Sequence, residues 1–124
     1  MNERDAGYLY DMLRGARKIG RFLEGRARSD LDADEMFQDA LVRAITVLGE
    51  AAGQVSDEIR DRHPEIPWRD ITGMRHRLVH DYRDVDLDRV WTTATENVPE
   101  LVPMLEAIVP DPGENLQTEA EDDA

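Results

Sequence analysis

The stretch DEMFQDALVRAITVLGEAAGQV, residues 34–55, carries the strongest periodic signal in the chain. Its apolar residues Phe37, Leu41, Ala44, Leu48, Ala51 and Val55 recur at intervals of four and three, which is the repeat of one helix face. A half-buried strand would alternate with a period of two. The spacing therefore predicts an amphipathic helix whose stripe lies in a core or in a seam between helices. Gly49 and Gly53 lie inside it and each costs about 1 kcal/mol of helix propensity against Ala; close approach of another helix is the expected compensation. Ser29, Asp30 and Asp32 offer capping side chains upstream, with Ser29 and Asp32 in the spacing of a capping box. The helix is expected to run from there to about Arg62.

Working outward, Leu9, Leu13, Ala16, Gly20 and Leu23 define a first helix from about Asp5 to Gly25. Arg14, Arg17, Lys18 and Arg21 recur on another of its faces, as a solvated surface or as a strip for phosphates or acids. Downstream, His63-Pro64-Glu65-Ile66-Pro67 ends the second helix, because proline cannot continue one. Pro67 can open the next helix, Trp68 is expected to plug the core at this corner, and a short helix follows to about Tyr82, loosened near Gly73. Asp84-Val85-Asp86 turns the chain and caps a last helix, about Leu87 to Ile108. Its face of Leu87, Trp91, Ala94, Val98, Leu101, Leu105 and Ile108 stays in register past Pro99, so a kink is expected there rather than a stop, with Pro103 on the polar side. No strand alternation and no repeat occur. The expected fold class is all-α, an antiparallel bundle of four or five helices. The bundle occupies residues 1–109, and 110–124 form an acidic disordered tail.

Composition bounds the function. The chain has 124 residues, enough for one domain, but a core of this size covers only about two-thirds of the unfolded surface. A symmetric partner docked on the second-helix seam is therefore expected, giving a homodimer. Cysteine is absent, which excludes disulfides and thiol or thiolate-metal chemistry. No apolar run approaches the roughly 18 residues of a membrane span, and Met1 to Tyr10 is too polar for a signal peptide, so the expected location is the cytoplasm. The net charge is −13, and six of the acids (Asp111, Glu114, Glu119, Glu121, Asp122, Asp123) crowd the last fifteen residues without a base, leaving −7 on the rest. Seven of the fifteen bases fall in the first 28 residues. Net acidity argues against nonspecific coating of nucleic acid and leaves room for a local basic groove.

The densest reactive cluster is Arg75-His76-Arg77-Leu78-Val79-His80-Asp81-Tyr82-Arg83. On a helical wheel only Leu78 and Val79 point inward, His76 and His80 share a face, and Arg75 and Tyr82 share another. A charged surface helix is the plainest account. A metal site from His76, His80 and Asp84, with His63 as a fourth ligand, lacks the Glu of H-E-x-x-H and sets a cation beside Arg75 and Arg77. Metal-free phosphodiester cleavage fits better. An imidazole can take the proton of a ribose 2′-OH while a guanidinium holds the charge that develops on the phosphate. Five helical residues span about 140° of rotation, so Arg75 and His80 of one chain would diverge, and two copies about a twofold axis would line one cleft together.

At these residues the sequence resembles the HEPN superfamily, and within it the HepT toxins. The hallmark is Arg, four to six residues, then His, here Arg75 to His80, extended to a tyrosine as His80-Asp81-Tyr82. Leu48-Gly49-Glu50-Ala51, Ile66-Pro67-Trp68 and Val90-Trp91 match in order, and the likeness covers about Asp5 to Ile108. One departure is His76, where the family usually has Asn; it can substitute for that Asn or act on the proton itself. The resemblance implies a homodimeric HEPN bundle and a metal-independent ribonuclease with no cofactor. Arg75 and His80 would be catalytic at the dimer cleft, with His76 and Glu50 in support. It implies an RNA substrate, for which Arg77, Arg83, Arg14, Arg17, Lys18 and Arg21 are candidate contacts. It also implies an MntA-type minimal nucleotidyltransferase as antitoxin, which silences the toxin by transferring AMP to Tyr82. The rival reading is a non-catalytic helical module that binds substrate or nucleotide for such a nucleotidyltransferase.

Overall fold

The computed structural model describes residues 1–81 and 84–110, the side chains of His80 and Asp81 excepted. Helix α1 spans Glu3–Leu23, and the Asn2 side chain starts it by accepting a hydrogen bond from the Asp5 N–H at 2.7 Å. Leu9, Met12, Leu13, Ala16 and Ile19 are buried. Ile19 thus takes the place expected for Gly20, which is exposed.

The expected second helix is three helices: α2 (Arg28–Ala33), α3 (Glu35–Gln54) and α4 (Asp57–Arg62). The breaks are side-chain caps. Asp34 accepts from the Phe37 N–H at 3.1 Å and starts α3 afresh. The Ser56 hydroxyl accepts from the Ile59 N–H at 3.4 Å and starts α4. The expected Ser29–Asp32 box is replaced by the Asp30 carboxylate, which accepts from the Ala27 N–H at 2.6 Å. The apolar stripe itself is as expected: Phe37, Leu41, Ala44, Leu48, Ala51 and Val55 are all buried. It is buried within its own chain, however. Helix α1 packs along α3, and α5 (Trp68–Thr72) and α6 (Met74–Leu78) also pack against α3. The stripe is spent on the core and leaves nothing to serve as a dimer seam. A Cβ on Gly49 would stand 2.9 Å from the Ile71 carbonyl oxygen, so α5 approaches as closely as that glycine allows, whereas a Cβ on Gly53 would meet nothing within 4 Å.

Trp68 fills the corner as expected, 8% exposed, its indole N–H donating to the His63 carbonyl at 2.9 Å. The helix expected to reach Tyr82 breaks at Gly73 and ends at Leu78. Val79 is extended (φ −127°, ψ 113°) and begins β1 (Val79–Asp81), which pairs antiparallel with β2 (Asp84–Val85), Val79 opposite Val85. The Asp86 N–H closes this return on the Leu78 carbonyl at 2.7 Å. Such a short ladder is below the length at which alternation shows in sequence.

The last helical run is α7 (Leu87–Thr92), one wide π-helical stretch (Thr93–Asn97) and α8 (Val98–Ile108). Asp86 caps it, accepting from the Arg89 N–H at 3.0 Å. Pro99 cannot donate to the carbonyl four residues back, and the strain is taken up just before it by the wide stretch. The apolar face continues through the break: Val90, Ala94, Val98, Leu101 and Leu105 are buried, and Pro103 is exposed. Helix α8 packs on α1. Arg28 bridges Asp32 at 2.8 Å and Asp88 at 2.7 Å, tying α2 to the start of α7. The architecture is thus all-α apart from the two-stranded hairpin. Three long helical paths carry the core, and short helices make the corners.

Candidate active site

Helix α6 is short, and its two buried residues, Met74 and Leu78, stand one turn apart and anchor it. That turn forces Arg75, His76 and Arg77 to the surface, where all three are exposed. Arg77 is engaged: its guanidinium bonds the Asp70 carboxylate at 2.9 Å. Arg75 and His76 make no side-chain hydrogen bond or ion pair with the described residues. An exposed guanidinium without an internal carboxylate keeps its donors for an external anion, and its planar fork suits phosphate.

His80 follows in β1. Its side chain, and the whole of Tyr82 and Arg83, lie outside the described residues. Because the helix ends at Leu78, the expected helical relations fail. His76 and His80 do not share a helix face, and the 140° divergence of Arg75 and His80 does not apply; the expected relation of Arg75 to Tyr82 lies outside the described residues. The metal reading loses its premise of helical spacing in the same way. Among the described residues, no three His, Asp or Glu side chains gather as a metal-binding group. His63 instead sits 3.3 Å from Glu65.

The other candidates fall elsewhere. A groove of about 690 Å³ runs between α1 and α3, and Arg14, Lys18, Arg21 and Glu50 line it together with Tyr8 and Val47. Glu50 is therefore placed among α1 cations; it makes no hydrogen bond to Arg75 or His76. Arg17 is bound to Glu106 on α8 at 2.8 Å and does not line this groove. Arg77 lines a second groove of about 820 Å³ between α5–α6 and the last helical run, with Asp70, Met74, Arg89 and Glu100.

One group escaped sequence reasoning. Asp5 is 2% exposed. Its carboxylate accepts from the Ser56 N–H at 2.9 Å and from the Ser56 hydroxyl at 2.7 Å, which pins the start of α1 to the α3–α4 corner. Those two donors hold its carboxyl below the usual range, against desolvation. An acid near a helix start is ordinarily read as a dipole partner, so no local signal marked it as a tether. Among the described residues, no helix is long and apolar enough to cross a membrane.

Known proteins resemble the chain along most of its length. It is 34% identical over 112 residues to the "Putative RNase MJ1216" of Methanocaldococcus jannaschii, covering 90% of this chain and 93% of that protein. It is 35% identical over 94 residues to the "Probable ribonuclease HepT" of Thermococcus cleftensis, covering 76% and 86%. No solved structure matches it significantly. The ribonuclease HepT-like family model matches residues 12–108, a span that includes α3, the α6–β1 junction and both helices beyond it, and the chain belongs to that family.

Proposed function

We propose that this chain is a metal-independent RNA endonuclease, the toxin of a toxin–antitoxin pair, acting in the cytoplasm as a homodimer with Arg75 and His80 of both copies at a shared cleft. Ribonuclease activity follows from the family. The observation that supports the site is Arg75: an exposed guanidinium with no partner among the described residues, on a turn fixed by Met74 and Leu78. In the reaction, the His80 imidazole removes the proton of a ribose 2′-OH. The 2′ oxygen attacks phosphorus while Arg75 holds the non-bridging oxygens. The P–O5′ bond breaks, the departing 5′ oxygen takes a proton, and a 2′,3′-cyclic phosphate remains. Neither step needs a metal.

In this reading the partner is an MntA-type minimal nucleotidyltransferase that transfers AMP from ATP to the Tyr82 hydroxyl, releasing pyrophosphate. The added phosphate would draw nearby guanidinium groups away from substrate and the base would block the RNA path, so silencing needs no change of fold. The dimer must use a face other than the α3 stripe, which the core consumes.

Cleavage should persist in EDTA and leave cyclic phosphate ends. Arg75→Ala and His80→Ala should each lose on the order of 10²-fold in rate or more. Loss of activity in EDTA, or full activity in His80→Ala, would overturn the mechanism. Light scattering should give a mass near twice 14.2 kDa; a monomer at micromolar concentration would overturn the shared cleft.

A further inference from the structure

The groove between α1 and α3 is not absorbed by the catalytic reading. Its α1 wall carries Arg14, Lys18 and Arg21, and its floor and far wall carry Gly15, Val47, Ala51 and Gln54, with Asp11 and Glu50 as its acids. Its charge is concentrated at the C-terminal end of α1. There Lys18 lies over the Phe22 ring at 5.7 Å, and Arg21 makes no side-chain hydrogen bond or ion pair with the described residues. Val47 is 37% exposed beside them. The groove thus offers cations and an apolar ledge to an extended, acidic occupant.

Where the chain goes next supplies one. Helix α8 ends at Ile108, and its Glu106 already bonds Arg17 at 2.8 Å. Arg17 neighbours Arg14 and Arg21 on the surface of α1, three and four residues away. One carboxylate of α8 therefore already rests on the margin of this cationic strip, two residues before the helix ends. Beyond Pro110 come six acids and no base. The α1 wall from Tyr8 to Arg21 is about 20 Å long at 1.5 Å per residue. Fourteen extended residues reach roughly 46 Å, enough to follow it end to end. The family match stops at residue 108, before this segment begins.

We propose that the acidic segment 111–123 of this chain folds back into its own α1–α3 groove and occupies it electrostatically. Any polyanion that seeks Lys18 and Arg21 must then displace it. Occupancy of this groove is independent of RNA cleavage, and spin-label broadening reports the position of the segment rather than activity.

The absence of cysteine makes the test clean. Ala120→Cys in the full-length chain gives a single site for a nitroxide, and paramagnetic broadening of backbone amides is read at about 0.05 M salt. Raising the salt to about 0.5 M cuts the screening length to roughly 4 Å. At low salt, amides of Tyr8 to Phe22 and Val47 to Gln54 should lose most of their intensity while those of α7 and the Thr93–Asn97 stretch keep theirs. The loss should be reversed at high salt and in Lys18→Glu/Arg21→Glu. Uniform or absent broadening overturns the proposal, as does broadening centred on another face. So does broadening that appears only when spin-labelled chain is mixed with a separate isotope-labelled copy, because the contact is then between molecules. If a short uridine oligonucleotide shifts the groove amides but the tail leaves them unbroadened, RNA is the occupant and the tail is not.

Discussion

Replacing Asp5 by Ala should destabilise the fold far more than an acid at the start of a helix normally would. Two bonds are lost, from the Ser56 N–H at 2.9 Å and from the Ser56 hydroxyl at 2.7 Å. Bonds to a charged acceptor contribute about 1.5–3 kcal/mol each, and they are not additive. The Ser56 N–H would remain in a nearly sealed corner without its acceptor, so the total expected is about 3 kcal/mol. For a chain of 124 residues, each kcal/mol moves Tm by roughly 4 °C, giving a fall of about 12 °C. The sign with pH follows from the depressed carboxyl. The Ser56 backbone N–H lowers its pKa most, then the Ser56 hydroxyl, with Arg4 adding a smaller pull in the same direction against desolvation. A group whose folded pKa lies below its unfolded one stabilises fully above about pH 4–5 and loses that contribution as pH falls through the folded value. Thermal unfolding of wild type and Asp5→Ala should therefore differ most near neutrality and converge in acid. A difference under about 0.5 kcal/mol at pH 7, or a gap that stays constant down to acid pH, would refute the tether.

The remaining predictions concern packing and the site. Gly49→Ala should cost about 1–2 kcal/mol, because its Cβ would press on the Ile71 carbonyl oxygen at 2.9 Å and overpacking outweighs the helix propensity gained. Gly53→Ala, with nothing within 4 Å, should instead stabilise by up to about 1 kcal/mol; denaturant melts that give both the same sign would contradict the α3–α5 approach. His76→Asn should keep RNA cleavage within a few-fold in initial rate if His76 stands in for an orienting Asn, and a loss comparable to that of His80→Ala would make it a proton-transfer group. Tyr82→Phe should cleave RNA but gain no AMP-sized mass with the nucleotidyltransferase and ATP. Equal labelling of Tyr82→Phe would move the modification elsewhere.

The parts legible in the sequence were those where one periodicity ran long enough to be decisive. The α3 stripe from Phe37 to Val55, the cap at Asp86 and the placement of Trp68 all emerged as read. The breaks within the second helix share one physical cause, which is competition from short-range polar bonds. Asp34 and Ser56 each stop a helix that the apolar period would have carried through, and the period is blind to this because the stripe resumes in register after each break. At Leu78 the error ran the other way. The helical wheel makes Val79 an inward helical residue, and it is half-buried, but in an extended conformation that starts the hairpin. The backbone geometry of the motif segment was therefore not legible in the periodicity.

That difference bears on how such a site is built. A continuous helix through Arg75 and His80 would have fixed their relation by the wheel alone. A helix of five residues followed by a strand fixes it through two anchors instead: Met74 and Leu78 in the core, and the Asp86 N–H on the Leu78 carbonyl at 2.7 Å. The same bond joins the motif to the cap of α7, so the position of the hairpin depends on where the last helical run begins. Arg28 reaches that start through Asp88 at 2.7 Å, and α8 at its far end packs on α1. The long helices thus stabilise the fold and also set the junction, while the exposed Arg75, His76 and Arg77 contribute almost nothing to the core. Arg75 has no partner among the described residues, and its turn is held by the apolar residues on either side of it; in the proposed mechanism this separation of anchoring from chemistry keeps an exposed guanidinium available to phosphate.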